Sequence, residues 1–209
     1  MKIAIIGATG KAGNKILKEA IAAGLDTTAI VRNSKKIAEN IPVIEKDIMD
    51  LTADDVKEFD TVVSAFGAPV GHQELHVTIG RHLIDIFTGL DNRLIVVGGA
   101  GSLYVDPDKK IRVMDTPDFP EAFLDTATNQ GKNFEDLQAS TINWTFVSPS
   151  AFFDVDGPRT GKYSKGEDHL LVNEKGESYV SYADFAVAII DEIKAPSHIK
   201  SRFTVASNN

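Results

Sequence analysis

Three glycines spaced three apart, Gly7, Gly10 and Gly13, follow directly on the apolar run Ile3-Ala4-Ile5-Ile6. An amphipathic stretch from Asn14 to about Ala23 comes next. This order reads as a buried strand, a tight turn and the start of a helix. The first glycine lets the chain turn off the strand. The second leaves room for an anion to approach the main chain, and the third lets the helix pack closely on the sheet. N–H groups at a helix start have no intrahelical partner, and the helix dipole adds attraction for negative charge. Gly7, Ala8, Thr9, Gly10, Lys11, Ala12 and Gly13 are therefore expected to cradle the pyrophosphate of a dinucleotide. Glycine-rich turns are common, so the weight lies in the context: after a strand and before a helix.

Arg32 lies 19 positions after Gly13, at the end of the apolar run Thr27-Thr28-Ala29-Ile30-Val31. A dinucleotide site places near here the group that reads the ribose 2′ position. A carboxylate would repel a 2′-phosphate, whereas a guanidinium pairs with it. Asn33, Ser34, Lys35 and Lys36 add donors. NADP(H) is thus expected over NAD(H), which stays open; the alternative is a solvated basic turn. Further along, Ala65-Phe66-Gly67 ends another apolar run, and its small residues would let a cofactor cross the sheet edge. Gly98, Gly99 and Gly101 follow Leu94-Ile95-Val96-Val97 and form either an open floor beside a ligand or a flexible turn. His72 and His76 stand i, i+4, a metal-compatible spacing, but no carboxylate pattern completes a site, and none is expected.

These groups need a scaffold. The chain has 209 residues, 43% hydrophobic and 25% charged, enough for one domain with a full core. Helix one is read over 11–23, with Ile16, Leu17, Ala20 and Ile21 facing a sheet and Gly24 as its cap. A short strand at Val43-Ile44, a strand at 60–64, a helix at 72–88, and strands at 94–97 and 143–147 follow. A long loop at 103–120 and a helix at about 121–140 separate the last two. Residues 152–180 read as a small lobe, with Leu170-Leu171-Val172 and Ser178-Tyr179-Val180 pairing around Lys175-Gly176. Ser181 caps a last helix, with Asp184 at the capping-box position, and 202–205 make a final strand. Strands alternating with helices imply an α/β, doubly wound, mostly parallel sheet (a Rossmann fold) over 1–209, with a small C-terminal substrate lobe at 152–180. Ligands of such sheets lie at the carboxyl ends of the strands, where Gly10, Arg32, Asp47, Phe66, Gly99 and Ser148 all fall.

The net charge of −8 argues against a general nucleic-acid or anionic-membrane surface, so no such partner is expected. No cysteine occurs, which excludes disulfides and thiol catalysis. The first strand begins at Lys2 or Ile3, leaving no room for a leader, and no apolar run is long enough for a bilayer; a cytoplasmic location is expected. A homodimer stays open.

Several separated motifs carry a resemblance: Ile6-Gly7-Ala8-Thr9-Gly10, Val97-Gly98-Gly99-Ala100-Gly101-Ser102-Leu103, Arg112-Val113-Met114-Asp115, Asn143-Trp144-Thr145-Phe146-Val147-Ser148-Pro149, Gly157-Pro158-Arg159-Thr160-Gly161-Lys162-Tyr163 and Ser181-Tyr182-Ala183-Asp184-Phe185-Ala186. Over essentially the whole chain, the sequence resembles the bacterial NADH–flavin reductase group. This is an NmrA-like branch of the atypical short-chain dehydrogenase/reductases, with biliverdin reductase B more distant. The resemblance implies that Asp47 sits beside the adenine and that Ile48 covers its ring. It places Ala65, Phe66, Gly67 and Gly99 along the cofactor and has Ser148, Pro149 and Ser150 bound the nicotinamide.

One departure matters. The Tyr-x-x-x-Lys pair of the wider superfamily is absent, and its nearest match is Thr128 four before Lys132. A threonine hydroxyl is too weak an acid to replace tyrosine. Lys132 is expected on the nicotinamide ribose, with Ser102 as the nearby hydroxyl, and Ser102, Tyr104 and Phe153 are the expected acceptor contacts. Hydride transfer to a flavin needs less, because the ring accepts the hydride and water supplies the proton. The favoured reading is an NADPH-dependent oxidoreductase acting on a small-molecule acceptor, a flavin or quinone-like ring, with flavin as substrate rather than bound group. The alternatives are a non-catalytic NmrA-like redox sensor and, more weakly, a nucleotide-sugar epimerase or dehydratase.

Overall fold

The computed structural model describes residues 1–208. Strands β1 (Lys2–Ile6), β2 (Asp26–Val31), β3 (Val43–Glu45), β4 (Thr61–Ser64), β5 (Arg93–Val97), β6 (Asn143–Ser148), β8 (Tyr163–Gly166) and β10 (Ser201–Ser207) form one sheet. Their order is β3-β2-β1-β4-β5-β6-β10-β8, parallel except for β8 at the edge. β7 (Phe152–Asp154) and β9 (Tyr179–Ser181) form a separate parallel pair. The strand order reverses between β1 and β4, where a crevice opens at the carboxyl ends.

Helices cover both faces. α1 (Lys11–Ala22) and α5 (Tyr182–Lys194) pack one side, around Ile16, Leu17, Phe185, Ile189 and Phe203. α3 (Leu75–Phe87) and α4 (Leu124–Ala139) pack the other, around Ile79, Leu83, Phe134, Trp144 and Phe146, and the short α2 (Ala53–Val56) adds Val56. Sheet faces buried on both sides explain why β1, β4 and β5 read as unbroken apolar runs. Ile21 lies at the rim of α1, 37% exposed, rather than under it.

The C-terminal segment differs from its sequence reading. Residues 170–172 form no strand. Asn173 closes a turn instead, its side-chain oxygen accepting from the N–H groups of Lys175 and Glu177 at 3.0 Å each, with Gly176 at φ +78°. β9 pairs with β7, in the register Phe152↔Tyr179, and β8 is drawn into the main sheet beside β10. The expected lobe is thus divided between the sheet edge and a small two-stranded cover.

Ser181 does cap α5, accepting from the Asp184 N–H at 2.9 Å. Asp184 does not complete a capping box. Its fully buried carboxylate accepts from the N–H groups of Thr160 and Gly161 (2.8 Å each) and the hydroxyls of Thr160 (2.7 Å) and Ser207 (2.8 Å). Arg159 then forks onto Glu19 of α1 at 2.8 and 2.7 Å. These contacts tie the loop before β8 to both helices of one face.

Candidate functional site

At the end of β1 the chain turns sharply, with Gly7 at φ +74° and the Gly10 N–H donating to the Gly7 carbonyl at 2.8 Å. A Cβ on Gly13 would overlap the Gly7 carbonyl oxygen and stand 2.8 Å from its carbon. The third glycine therefore brings the helix against the turn, main chain on main chain. Gly10 is the N-cap of α1 and offers no side chain, and the helix accepts its first bond through Asn14 N–H to Gly10 O. Among the described residues, the N–H groups of Lys11, Ala12 and Gly13 have no acceptor. Three main-chain donors thus open together at a helix N-terminus, which suits an anion.

From this point two clefts run along the sheet edge and share Gly10, Ala65, Phe66 and Gly67. The narrower holds about 290 Å³ between Gly7, Thr9, Arg32, Asp47, Ile48 and Leu75. Arg32 is exposed there and has no ion-pair partner among the described residues. Asp47 points its carboxylate at the Met49 N–H (3.0 Å), holding the turn after β3, while Ile48 is buried beneath it. Lys46, also lining this cleft, is already taken by Asp55 at 2.7 and 2.8 Å.

The wider cleft holds about 660 Å³. Gly98, Gly99, Ala100 and Gly101 make its floor, Pro149, Ser150 and Ala151 one side, and Phe119, Phe123, Phe153 and Tyr182 an aromatic wall. The glycines are not a slack turn. A Cβ on Gly99 would overlap the Gln130 side-chain oxygen, one on Gly98 the Phe146 ring, and one on Gly101 would stand 2.5 Å from Ala127 Cβ. They let α4 and β6 approach so closely that no larger residue fits. Ser150 is buried and donates to the Val205 carbonyl at 2.8 Å, fixing the loop after β6.

Four expected site residues lie elsewhere. Lys132 is exposed and lines neither cleft; Thr126, Ala127 and Gln130 present α4 to the floor. Two residues on from Gln130 is about 200° around a helix, which sends Lys132 to solvent. Ser102 is buried under Arg202, whose guanidinium reaches its hydroxyl at 2.9 Å and its carbonyl at 3.1 Å. Arg202 also pairs with Asp168 at 2.8 Å and lies over the Phe134 ring, so Ser102 belongs to a packing network. Tyr104 bridges Arg112 and His169, away from both clefts. Ser148 is fully buried, its hydroxyl unpartnered, and does not reach the cleft that its neighbours Pro149 and Ser150 line.

Sequence reasoning missed Gln130, Phe123 and Tyr182, whereas Phe119 comes from the long loop at 103–120, which stands in the order expected for a wall of the substrate cleft. Phe123 is 62% exposed although it borders the cleft. Tyr182 opens α5, its ring against Phe153 with centroids 3.7 Å apart, and burial pushes its phenol up from the ordinary value. The one available signal was its place directly after the N-cap Ser181, which gives no direction. His72 falls before α3, beside Glu74, and His76 is buried edge-on to Phe66. Desolvation lowers the pKa of His76. Among the described residues no group of three His, Asp or Glu side chains is placed to hold a metal, and no helix is long and apolar enough to cross a membrane.

Fold and cleft together define a dinucleotide-binding Rossmann protein, with a bare helix N-terminus at the switch point and a second compartment beyond it. The sequence profile of a family described as NAD(P)H-binding matches residues 7–196. The Bacillus subtilis protein YwnB is 57% identical over 99% of both chains. A Streptococcus pneumoniae crystal structure, provisionally described as an NADH-flavin reductase, is 42% identical over 100% of both chains, with a TM-score of 0.96. A Bacteroides thetaiotaomicron structure, provisionally described as an epimerase, is 36% identical, covers 100% of this chain and 97% of its own, and has a TM-score of 0.87. The chain belongs to the NAD(P)H-binding family.

Proposed function

We propose that the protein is an NADPH-dependent oxidoreductase that reduces a flat, conjugated small molecule, a free flavin or a quinone-like ring. The carrying observation is the wider cleft. An aromatic wall of Phe119, Phe123, Phe153 and Tyr182 faces a glycine floor continuous with the diphosphate cradle. Flat rings stack on such walls and are oriented by them. The bound coenzyme supplies a hydride from its nicotinamide. In this reading Lys11, Ala12 and Gly13 hold the diphosphate through their free N–H groups, Asp47 and Ile48 flank the adenine, and Arg32 pairs with the 2′-phosphate. Gly99 and Pro149 border the nicotinamide, and Ser150 locks the loop carrying Pro149. The chain's task is then to align two rings and exclude water between them. No lysine or histidine lines the wider cleft apart from Lys11 at the cradle, which suits an acceptor that is its own electron sink.

The relatives' descriptions divide between reductase and epimerase, and the cleft favours the first: four aromatic rings line it, a surface that suits a flat conjugated ring better than a sugar. The test is a steady-state assay of purified protein with NADPH and FMN, riboflavin or a quinone, following the absorbance of the reduced coenzyme. Turnover is expected. Tight coenzyme binding without turnover on any of these acceptors would make the protein a sensor instead. Arg32→Asp removes charge-assisted bonds of about 1.5–3 kcal/mol. It should weaken NADPH at least tenfold while sparing NADH; an unchanged preference for NADPH would refute the role of Arg32.

A further inference from the structure

The chain has four tyrosines. Tyr163 and Tyr179 donate to carboxylates, Asp191 at 2.7 Å and Asp154 at 2.9 Å, and Tyr104 lies outside both clefts. Tyr182 alone lines the acceptor compartment, and among the described residues its hydroxyl has no protein partner. Its ring is held between β7 and the start of α5 by Phe153, which itself packs on Phe185. Asp184, one half-turn further along α5, anchors the loop at Thr160 and Gly161, so the start of the helix is fixed from two sides. A rigid ring with an uncommitted hydroxyl, set in the wall of a cleft, is a preorganised donor.

We infer that Tyr182 donates a hydrogen bond to a carbonyl oxygen of the acceptor, so that the compartment selects ring compounds bearing a ketone or quinone oxygen. This rests on the oxidoreductase reading above. A tyrosine phenol is protonated at neutral pH, and burial favours that form further, so the group donates. As the acceptor takes up a hydride, its oxygen gains negative charge. The phenol O–H bond then breaks, an O–H bond forms on the acceptor oxygen, and the phenolate recovers a proton from water at the cleft mouth. The donor comes from α5, on the opposite face of the sheet from α4, where the superfamily's tyrosine was sought.

The test compares menadione with 2-methylnaphthalene, which keeps the rings and methyl group and lacks both oxygens. Binding to NADP⁺-loaded protein is measured by quenching of intrinsic fluorescence, so no turnover is involved. Wild type should prefer menadione. Tyr182→Phe should weaken menadione about three- to tenfold, the worth of one neutral hydrogen bond, and leave 2-methylnaphthalene and NADP⁺ unchanged. The same variant should lower kcat for menadione at saturating NADPH. Equal weakening of both ring compounds, or no weakening of either, would overturn the role of Tyr182 while leaving the reductase reading intact. Wild-type protein that binds neither ring would overturn this inference, and if it also fails to bind FMN and riboflavin the reductase reading falls with it.

Discussion

Gly13→Ala sets two effects against each other. Gly13 lies in the first turn of α1, where alanine is favoured over glycine by up to about 1 kcal/mol. Its Cβ, however, would overlap the Gly7 carbonyl oxygen and press on the Gly7 carbon at 2.8 Å and Ala8 Cα at 3.1 Å. All three are main-chain atoms and cannot swing aside like the end of a side chain. Overpacking costs about 1–3 kcal/mol, so the clash outweighs the propensity gain. Overlap with main chain puts the cost at the upper end of that range, so the net loss is about 2 kcal/mol, or about 4–8 °C in Tm for a chain of this size. The larger consequence is local. Moving the start of α1 off the turn misaims the free N–H groups of Lys11, Ala12 and Gly13. Loss of one charge-assisted bond, about 1.5–3 kcal/mol, weakens NADPH about ten- to a hundredfold. Thermal melts without coenzyme and calorimetric titration with NADPH read the two effects separately. A variant that melts no lower and binds NADPH as tightly as wild type would refute the cradle.

Two other perturbations separate site from scaffold. A Cβ on Gly67 meets no protein atom within 4 Å, so Gly67→Ala should leave Tm within about 1 °C. It should nevertheless weaken NADPH on the order of tenfold by filling the shared neck of the two clefts; unaltered affinity would move the coenzyme's path elsewhere. Glu192, fully buried in α5, accepts from His198, from Ser197 and, at 3.1 Å, from Arg93. Despite the opposing effect of burial, the bonds from His198 and Ser197 pull its carboxyl down to about 2. A folded pKa below the unfolded value of 4.5 contributes stability above that value, lost as pH falls from about 4.5 to about 2. Glu192→Gln should therefore cost about 3 kcal/mol at pH 7 in urea unfolding. The gap from wild type should close by about pH 2, and a gap that stays constant with pH would refute the ionic origin.

The sequence made the cradle legible because its requirement is local. A turn at positive φ and a contact of main chain on main chain both demand glycine, and Gly7 and Gly13 meet them. The parallel sheet was legible for a similar reason, since strands buried on both faces read as unbroken apolar runs. Of the aromatic lining, Phe153 is among the expected acceptor contacts, but Phe123 and Tyr182 were not legible, because the lining's members come from the loop before α4, from β7 and from the start of α5. Nothing in local spacing tells Phe153, which faces the cleft, from Phe152, which is 62% exposed. Asp184 was read as a cap because its neighbours in sequence fit a cap; its partners Thr160 and Ser207 are more than twenty positions away. Ser102 shows the converse, a hydroxyl beside a glycine floor that a buried arginine one hundred positions later has claimed.

The packing of α4 against the glycine floor shapes the cleft beside it. Gly98, Gly99 and Gly101 bring α4 so near the sheet that Ala127 and the Gln130 amide fill the gap. No tyrosine stands among the α4 residues that line the cleft, Thr126, Ala127 and Gln130. The basic residue that would follow it lies on the solvent side, as Lys132 does. Beside that floor the rings of Phe119, Phe123, Phe153 and Tyr182 line the same slot. Proton donation, if the acceptor needs it, must then come from across the slot, and the start of α5 is where a hydroxyl stands unpartnered. One run of glycines thus both sets α4 close to the sheet and gives the cleft its floor.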